Sequence, residues 1–250
     1  MTAITVDPLN PYYSSLDGVL FDKDQTTLIQ CPAGKIGSYS IPNGVTNFDG
    51  APFGGCNGLT NVTIPNGVTS IVSGMFEFCY SLTTVNMPNS ITSIGDYAFY
   101  TCVGLTSIII PNGVTSIGDE AFGECNLSTI YFLGNAPQDY SDNIFDDDPF
   151  GTVYYLPGTT GWGSRLEFFR TVLWIPQVQT ADASFGVQSN EFGFTTTWTS
   201  NMVVVVEACT NLANPIWSPV ATNTLSGDSF YFSDPEWTNY LSRFYRVSSQ

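Results

Sequence analysis

The sequence predicts a mainly-β protein in two parts, a right-handed solenoid of 23-residue coils over residues 1–176 and a small β-sandwich over residues 177–250. Two observations predict the first part. Pro42, Pro65, Pro88 and Pro111 stand 23 residues apart, and apolar residues recur around them in the same register. One observation predicts the second: from Gln177 that period is lost, and aromatic and β-branched residues return in short alternating runs. A period of roughly 20 to 30 residues marks a solenoid, because one coil cannot bury its own apolar side and must stack on its neighbours.

The four coils read Ile41-Pro-Asn-Gly-Val, Ile64-Pro-Asn-Gly-Val, Met87-Pro-Asn-Ser-Ile and Ile110-Pro-Asn-Gly-Val. In register with them run Phe48, Ile71, Ile94 and Ile117, then Phe53, Phe76, Phe99 and Phe122, then Cys56, Cys79, Cys102 and Cys125. Leu59, Leu82 and Leu105, followed by Val62, Val85 and Ile108, complete the columns. Leu127 and Ile130 keep the pattern after a one-residue deletion.

Each coil parses physically. The Leu-x-x-Val-x-Ile-Pro stretch is β-branched and closes at a proline, which cannot donate to a ladder. The Asn-Gly that follows is expected to supply the positive-φ positions of a tight turn. Val-Thr-Ser-Ile is a second short extended piece. Gly118-Asp-Glu-Ala-Phe122 is expected to form one helical or 3₁₀ turn that presents Phe122 inward. With rungs about 4.8 Å apart, a run of roughly eight would extend about 35 to 40 Å.

This pattern resembles the BspA-like class of bacterial leucine-rich repeats, whose consensus runs Ala-Phe-x-x-Cys-x-x-Leu-x-x-Ile-x-Ile-Pro-x-x-Val-x-x-Ile-Gly. Ala121-Phe122-Gly-Glu-Cys125 and Leu105-Thr-Ser-Ile108-Ile-Ile110-Pro111-Asn-Gly-Val114-Thr-Ser-Ile117-Gly118 match it almost position for position. Pro52, Met75 and Val72 depart from it. The resemblance covers residues 1–176 and implies a leucine-rich-repeat solenoid on a secreted or cell-surface protein used for adhesion or ligand binding; it names no ligand.

Both ends of the array are irregular. Tyr12 to Phe21, followed by Thr27 to Pro32, reads as a hairpin insertion. Thr152 to Gly158 and Thr171 to Pro176 are two further proline-ended strands. Met1-Thr-Ala-Ile4-Thr-Val6 aligns with Leu59-Thr-Asn-Val62-Thr-Ile64, which places Met1 at a leucine position and makes these residues an open first rung. An uncapped rung invites either a longer array or stacking on another molecule, and head-to-tail stacking generates filaments. The C-terminal part, from Trp198 through Glu207 and Trp217 to Arg243-Phe-Tyr-Arg-Val247, loosely resembles a fibronectin type III sandwich.

Composition narrows the chemistry. Asp and Glu number 22 against 6 Lys and Arg, for a net charge of -16, and such a chain repels nucleic-acid backbones. With no His, Ser-His-Asp and Cys-His nucleophile systems and His-ligated zinc are absent. A carboxylate-pair glycosidase is the remaining enzyme reading, and no two acids share a recognisable motif for it. The N-terminus has no basic start or long apolar core, and the longest aliphatic run, Val203 to Val206, cannot span a membrane. The chain is expected to be the secreted or surface part of an exported protein.

Three constellations stand out. Cys56, Cys79, Cys102 and Cys125 form a column of small buried side chains, so no disulfide framework is expected; Cys31 falls outside the register, at a strand position equivalent to Ile64, and Cys209 is alone. Asp139, Asp142, Asp146, Asp147 and Asp148 offer hard oxygen ligands, and calcium is conceivable, yet the spacing lacks the order of a calcium loop and reads as a solvated acidic loop. On the main strands, Ala3, Thr5, Asn61, Thr63, Thr84, Asn86, Ser107, Ile109, Thr129 and Tyr131 point outward, with Tyr154 at the end. This hydroxyl- and amide-rich strip, with larger anchors at one end, is the candidate binding face. The function expected is non-enzymatic extracellular binding or adhesion, without cofactor, to a protein or glycan. The alternative is a structural subunit of an extracellular filament formed by repeat-end stacking.

Overall fold

The computed structural model describes residues 1–141, 143–146, 151–181, 183–212 and 215–249. The chain divides into two compact units, Met1–Leu173 and Trp174–Gln250.

The first unit opens with the hairpin β1 (Tyr13–Leu16) and β2 (Val19–Asp22), antiparallel and joined by Asp17-Gly18. Both loop residues have positive φ, 50° and 77°, as a two-residue hairpin loop requires. β3 (Thr27–Gln30) lies antiparallel to β2. Main-face strands then alternate with two-residue second-face strands: β4 (Ile36–Ser40), β5 (Asn47–Phe48), β6 (Gly58–Thr63), β7 (Ser70–Ile71), β8 (Thr84–Asn86), β9 (Ser93–Ile94), β10 (Ser107–Ile110), β11 (Ser116–Ile117), β12 (Thr129–Phe132) and β13 (Asp139–Tyr140). β14 (Thr152–Tyr155), β15 (Arg165–Leu166) and β16 (Phe169–Leu173) complete the unit. The main face consists of two parallel runs, β4-β6-β8 and β10-β12-β14-β16, with β15 antiparallel to β16. The second face is the parallel run β7-β9-β11-β13.

The third side of each coil has turns where the sequence suggested a helical or 3₁₀ turn. Gly123 N–H donates to the Glu120 carbonyl (3.1 Å), and Cys102 N–H to that of Phe99 (3.0 Å), each closing a tight turn. Other N–H groups here reach across coils: Phe76 to the Ala98 carbonyl (2.8 Å), Phe99 to Ala121 (2.8 Å) and Phe122 to Ile144 (3.0 Å). A helical turn would spend its N–H groups within the coil, whereas stacking satisfies them on the next one.

The apolar columns lie inside. Phe53, Phe76, Phe99 and Phe122 are fully buried and stack ring on ring, with centroids 5.2 to 5.3 Å apart. Tyr39 begins this spine, and Phe145 and Phe169 extend it. All six cysteines are buried. The thiols of Cys79, Cys102 and Cys125 each donate to the carbonyl of the phenylalanine 26 residues earlier, Phe53, Phe76 and Phe99, at 3.1 Å. Burial pushes the Cys79 thiol up to about 12 and Cys102 well above its ordinary value.

Three further expectations are corrected. Cys31 belongs to the turn side, not to a main strand: its N–H donates to the Pro52 carbonyl (2.8 Å), as Phe53 N–H does to Met75 (3.2 Å) one coil on. The Cys56 thiol lies 3.7 Å from the carbonyls of Cys31 and Pro32. The hairpin insertion resets the register, since β3 pairs with the second-face strand β5. The Asn-Gly corners do not hold positive φ. Each is a turn closed from the proline carbonyl to the Val or Ile N–H, as in Val114 to Pro111 (3.2 Å), and only at Gly113 is a Cβ brought under 3.0 Å of the neighbouring coil's backbone. A Cβ on Gly113 would lie 2.8 Å from the Ile91 carbonyl, while Ser90, one coil earlier, donates its hydroxyl to the Val68 carbonyl (2.6 Å). Finally, Met1–Val6 do not form a rung, and Ala3 and Thr5 are not part of the main face. Met1 is 83% exposed, and this segment bonds to the insertion and its following loop, through Ile4 N–H to Gly18 (2.8 Å) and Gly34 N–H to the Met1 carbonyl (2.8 Å). Among the described residues the main face therefore has seven rungs, β4, β6, β8, β10, β12, β14 and β16.

The second unit contains β17 (Gln177–Gln179), β18 (Gly186–Gln188), β19 (Glu191–Thr197), β20 (Val203–Cys209), β21 (Ser218–Thr224), β22 (Ser229–Asp234) and, after a 3₁₀ turn at Trp237–Asn239, β23 (Phe244–Ser249). One antiparallel sheet joins β17, β18 and β22 to β19; the other is β21-β20-β23. Phe194 and Phe232 of the first sheet and Val206 of the second form the shared core, with Phe192, Tyr245 and Val247 packed against it. Buried Asp234 is paired with Arg243 (2.6 Å) and accepts from the Tyr245 hydroxyl (2.7 Å).

Two outcomes are expected. Phe99→Ala removes one ring from the middle of the spine and should cost about 3 to 5 kcal/mol in urea unfolding. Alkylation of the native protein should leave Cys79 and Cys102 unmodified until denaturant is added, and rapid labelling without it would overturn their burial.

Candidate functional site

The strip of outward residues assembles through the strand registers. Asn61 lies beside Thr84 and Thr63 beside Asn86; Ser107 lies beside Thr129 and Ile109 beside Tyr131; Tyr131 lies beside Tyr154. All nine residues share the main face because alternate residues of a strand point the same way. Thr63, Thr84, Asn86, Ser107 and Ile109 are exposed, whereas Asn61, Thr129, Tyr131 and Tyr154 are half-buried.

Neighbouring coils order these groups sideways. Asn86 Nδ2 donates to Thr63 Oγ1 (3.3 Å), and Thr83 Oγ1 to Asn61 Oδ1 (3.3 Å). The Tyr131 and Tyr154 rings stack with centroids 5.3 Å apart and planes 18° from parallel. Burial, with Tyr154 alongside, pushes the Tyr131 phenol above its ordinary value.

A cleft of about 290 Å³ opens on this face between β8 and β10, where the two hydrogen-bonded runs meet. Thr84, Asn86, Ser107, Ile109 and Tyr131 line it, together with Met87 and Asn89. It combines an exposed aliphatic side chain, an aromatic edge and several hydroxyl and amide groups, a set suited to recognising a partner surface or a sugar. Sequence reasoning missed this cleft, although its signal was present. The third coil has Met87 and Ser90 where the others have Ile and Gly, and β8 there is only three residues long.

Of the acidic run, Asp142, Asp147 and Asp148 lie outside the described residues. Asp139 is exposed in β13, and Asp146 accepts the Glu124 N–H through its backbone carbonyl (2.9 Å) on the turn side. Among the described residues no group of three or more His, Cys, Asp or Glu is placed to hold a metal ion. No helix among them is long and apolar enough to cross a membrane.

Comparison with known proteins bears on this architecture directly. The family described as BspA type Leucine rich repeat region matches residues 31–149 in six copies. Residues 31–149 are a BspA-type leucine-rich-repeat array. The crystal structure of the pneumococcal vaccine antigen PcpA is similar, with a TM-score of 0.55 and 24% identity over 67% of this chain and 40% of that one. This likeness concerns the fold. Matches of lower TM-score include a T. pallidum leucine-rich-repeat protein (0.46, 25% identity, 51% of this chain and 62% of that one) and one from Bacteroides ovatus (0.39, 23%, 58% and 45%). The chain thus spans 40% to 62% of the length of these structures. No curated protein matches it. The leucine-rich-repeat match lies wholly within the first unit.

The tyrosine stack can be tested on its own. Tyr154→Ala should bring the Tyr131 phenol back toward its ordinary titration, followed by NMR of ring-labelled tyrosine. An unchanged Tyr131 titration would show that Tyr154 does not cover it.

Proposed function

We propose that the chain is a non-enzymatic, secreted or surface-exposed binding module that holds a protein or glycan ligand on the main face of its leucine-rich-repeat array. The observation that carries this reading is the cleft between β8 and β10, flanked by the Tyr131–Tyr154 stack. Small polar groups there keep hydrogen-bonding capacity toward solvent, and Ile109, 46% exposed, and Tyr131 supply apolar contact. Anchors of this type dominate binding energy when a partner excludes water around them. The resemblance to BspA-like surface proteins supports the extracellular setting. The filament reading has less support, because it rests on an open first rung and Met1–Val6 do not form one.

Glycan and matrix-protein arrays provide the test. The wild-type chain should bind a restricted set of ligands, and Tyr131→Ala or Ile109→Ser should weaken that binding by about tenfold or more, the scale of a hot-spot residue. Binding that survives both substitutions would move the site off this face. Size-exclusion chromatography over a range of concentrations separates the two readings, since growth in size with concentration would favour assembly.

A further inference from the structure

The turn side of the coils presents a second surface, unlike the main face in chemistry. Phe78 and Tyr97 are 40% and 38% exposed there, with Tyr80 at 44%. The Phe78 ring meets Tyr100 edge-on at 5.9 Å and Tyr80 at 6.3 Å, and Tyr97 meets Tyr100 at 5.6 Å. Three exposed rings and the half-buried Tyr100 therefore form one contiguous cluster.

Two of these rings occupy backbone positions that disfavour them. Phe78 has φ 59° and Tyr97 has φ 57°, a left-handed conformation that bulky residues rarely adopt. The corresponding positions 23 residues earlier are Gly55 (φ 70°) and Gly74 (φ 66°). The coil accepts glycine at both corners, so folding does not call for an exposed aromatic ring at either.

Carboxylates are fixed around the rings. Glu124 accepts from the Tyr100 hydroxyl at 2.8 Å and from the Thr101 hydroxyl at 3.0 Å. Glu120 Oε1 is 3.5 Å from the Tyr97 hydroxyl. No Lys or Arg occurs between Lys35 and Arg165, so these coils bring no counter-charge of their own. The local field shows it: desolvation together with the Asp146 and Asp119 carboxylates raises the Glu120 carboxyl, and the bond to Glu124 helps push the Tyr100 phenol up to about 12.

Aromatic faces carry negative potential and attract cations, the more so beside carboxylates. We propose that Phe78, Tyr80, Tyr97, Tyr100, Glu120 and Glu124 form a docking surface for an arginine- or lysine-bearing segment of a partner protein, separate from the main face. A guanidinium stacks on an exposed ring while donating to a neighbouring carboxylate, which its planar fork does better than an ammonium. Neutral sugars could stack on the rings but make no use of the charge.

The test uses the full chain and a fluorescent peptide of alternating arginine and serine, read by anisotropy at physiological salt. Phe78→Gly and Tyr97→Gly leave the net charge unchanged and introduce the residue found at the same corner in the preceding coils. Each should weaken binding about two- to fivefold, the range of an exposed cation–π contact, with a melting temperature equal to or above wild type. Glu124→Gln should weaken it as well. Asp7→Asn and Asp49→Asn, the same charge change elsewhere, and Tyr131→Ala on the main face should leave affinity unchanged. If the glycine variants bind like wild type, or Asp49→Asn weakens binding as much as Glu124→Gln, the attraction is only that of a net-acidic protein and the proposal fails. It fails equally if an uncharged oligosaccharide binds in a Tyr97-dependent manner and the arginine peptide does not.

Discussion

The first unit depends on one constraint, that the same side chain return to the same place every 23 residues at the spacing of a backbone rung. The stacked phenylalanines show it most directly, with centroids 5.2 to 5.3 Å apart from Phe53 to Phe122, close to the strand separation of a sheet. Backbone bonds and ring contacts can thus be satisfied by one translation. Departures are confined to the ends, where the spine tightens to 4.3 Å between Phe145 and Phe169.

Such close stacking leaves little room at the corners. A Cβ on Gly118 would lie 2.2 Å from an Asp96 carboxylate oxygen and 2.5 Å from the Asp96 nitrogen, so glycine is required there by the neighbouring coil. The cysteines answer the same constraint, being small enough for the interior and able to donate to a phenylalanine carbonyl on the coil before. A larger apolar residue in that column would have to displace backbone, and an alanine would lose the bond.

Because the interior is repetitive, individuality lies outside it. The main face changes from Asn and Thr to Ile109, Tyr131 and Tyr154 while the buried columns remain apolar, and the turn side changes from Gly55 to Phe78, Thr101 and Glu124 at one backbone position. The second unit is organised otherwise. Its antiparallel sheets share a small aromatic core, and its arginines are paired with acids, Arg243 with Asp234 and Arg246 with Glu207.

The sequence by itself determined the coil length and the inward columns, because each is a statement about period and polarity along one chain. It also marked the hairpin between Tyr12 and Pro32 through its break in period. Only the tertiary structure decided where backbone strain falls. Asn-Gly looked like the left-handed corner, but those glycines have negative φ, and Phe78, Tyr97 and Glu120 carry the positive φ. Cys31 was misplaced for a related reason: local pattern cannot show how an insertion resets the register, and β3 joins β5 on the second face. The candidate site was legible as nine residues but not as a cleft, since the gap between β8 and β10 arises from coils that do not share a ladder. Contacts between coils are set by neighbours 23 residues away, and these decide which local preferences prevail.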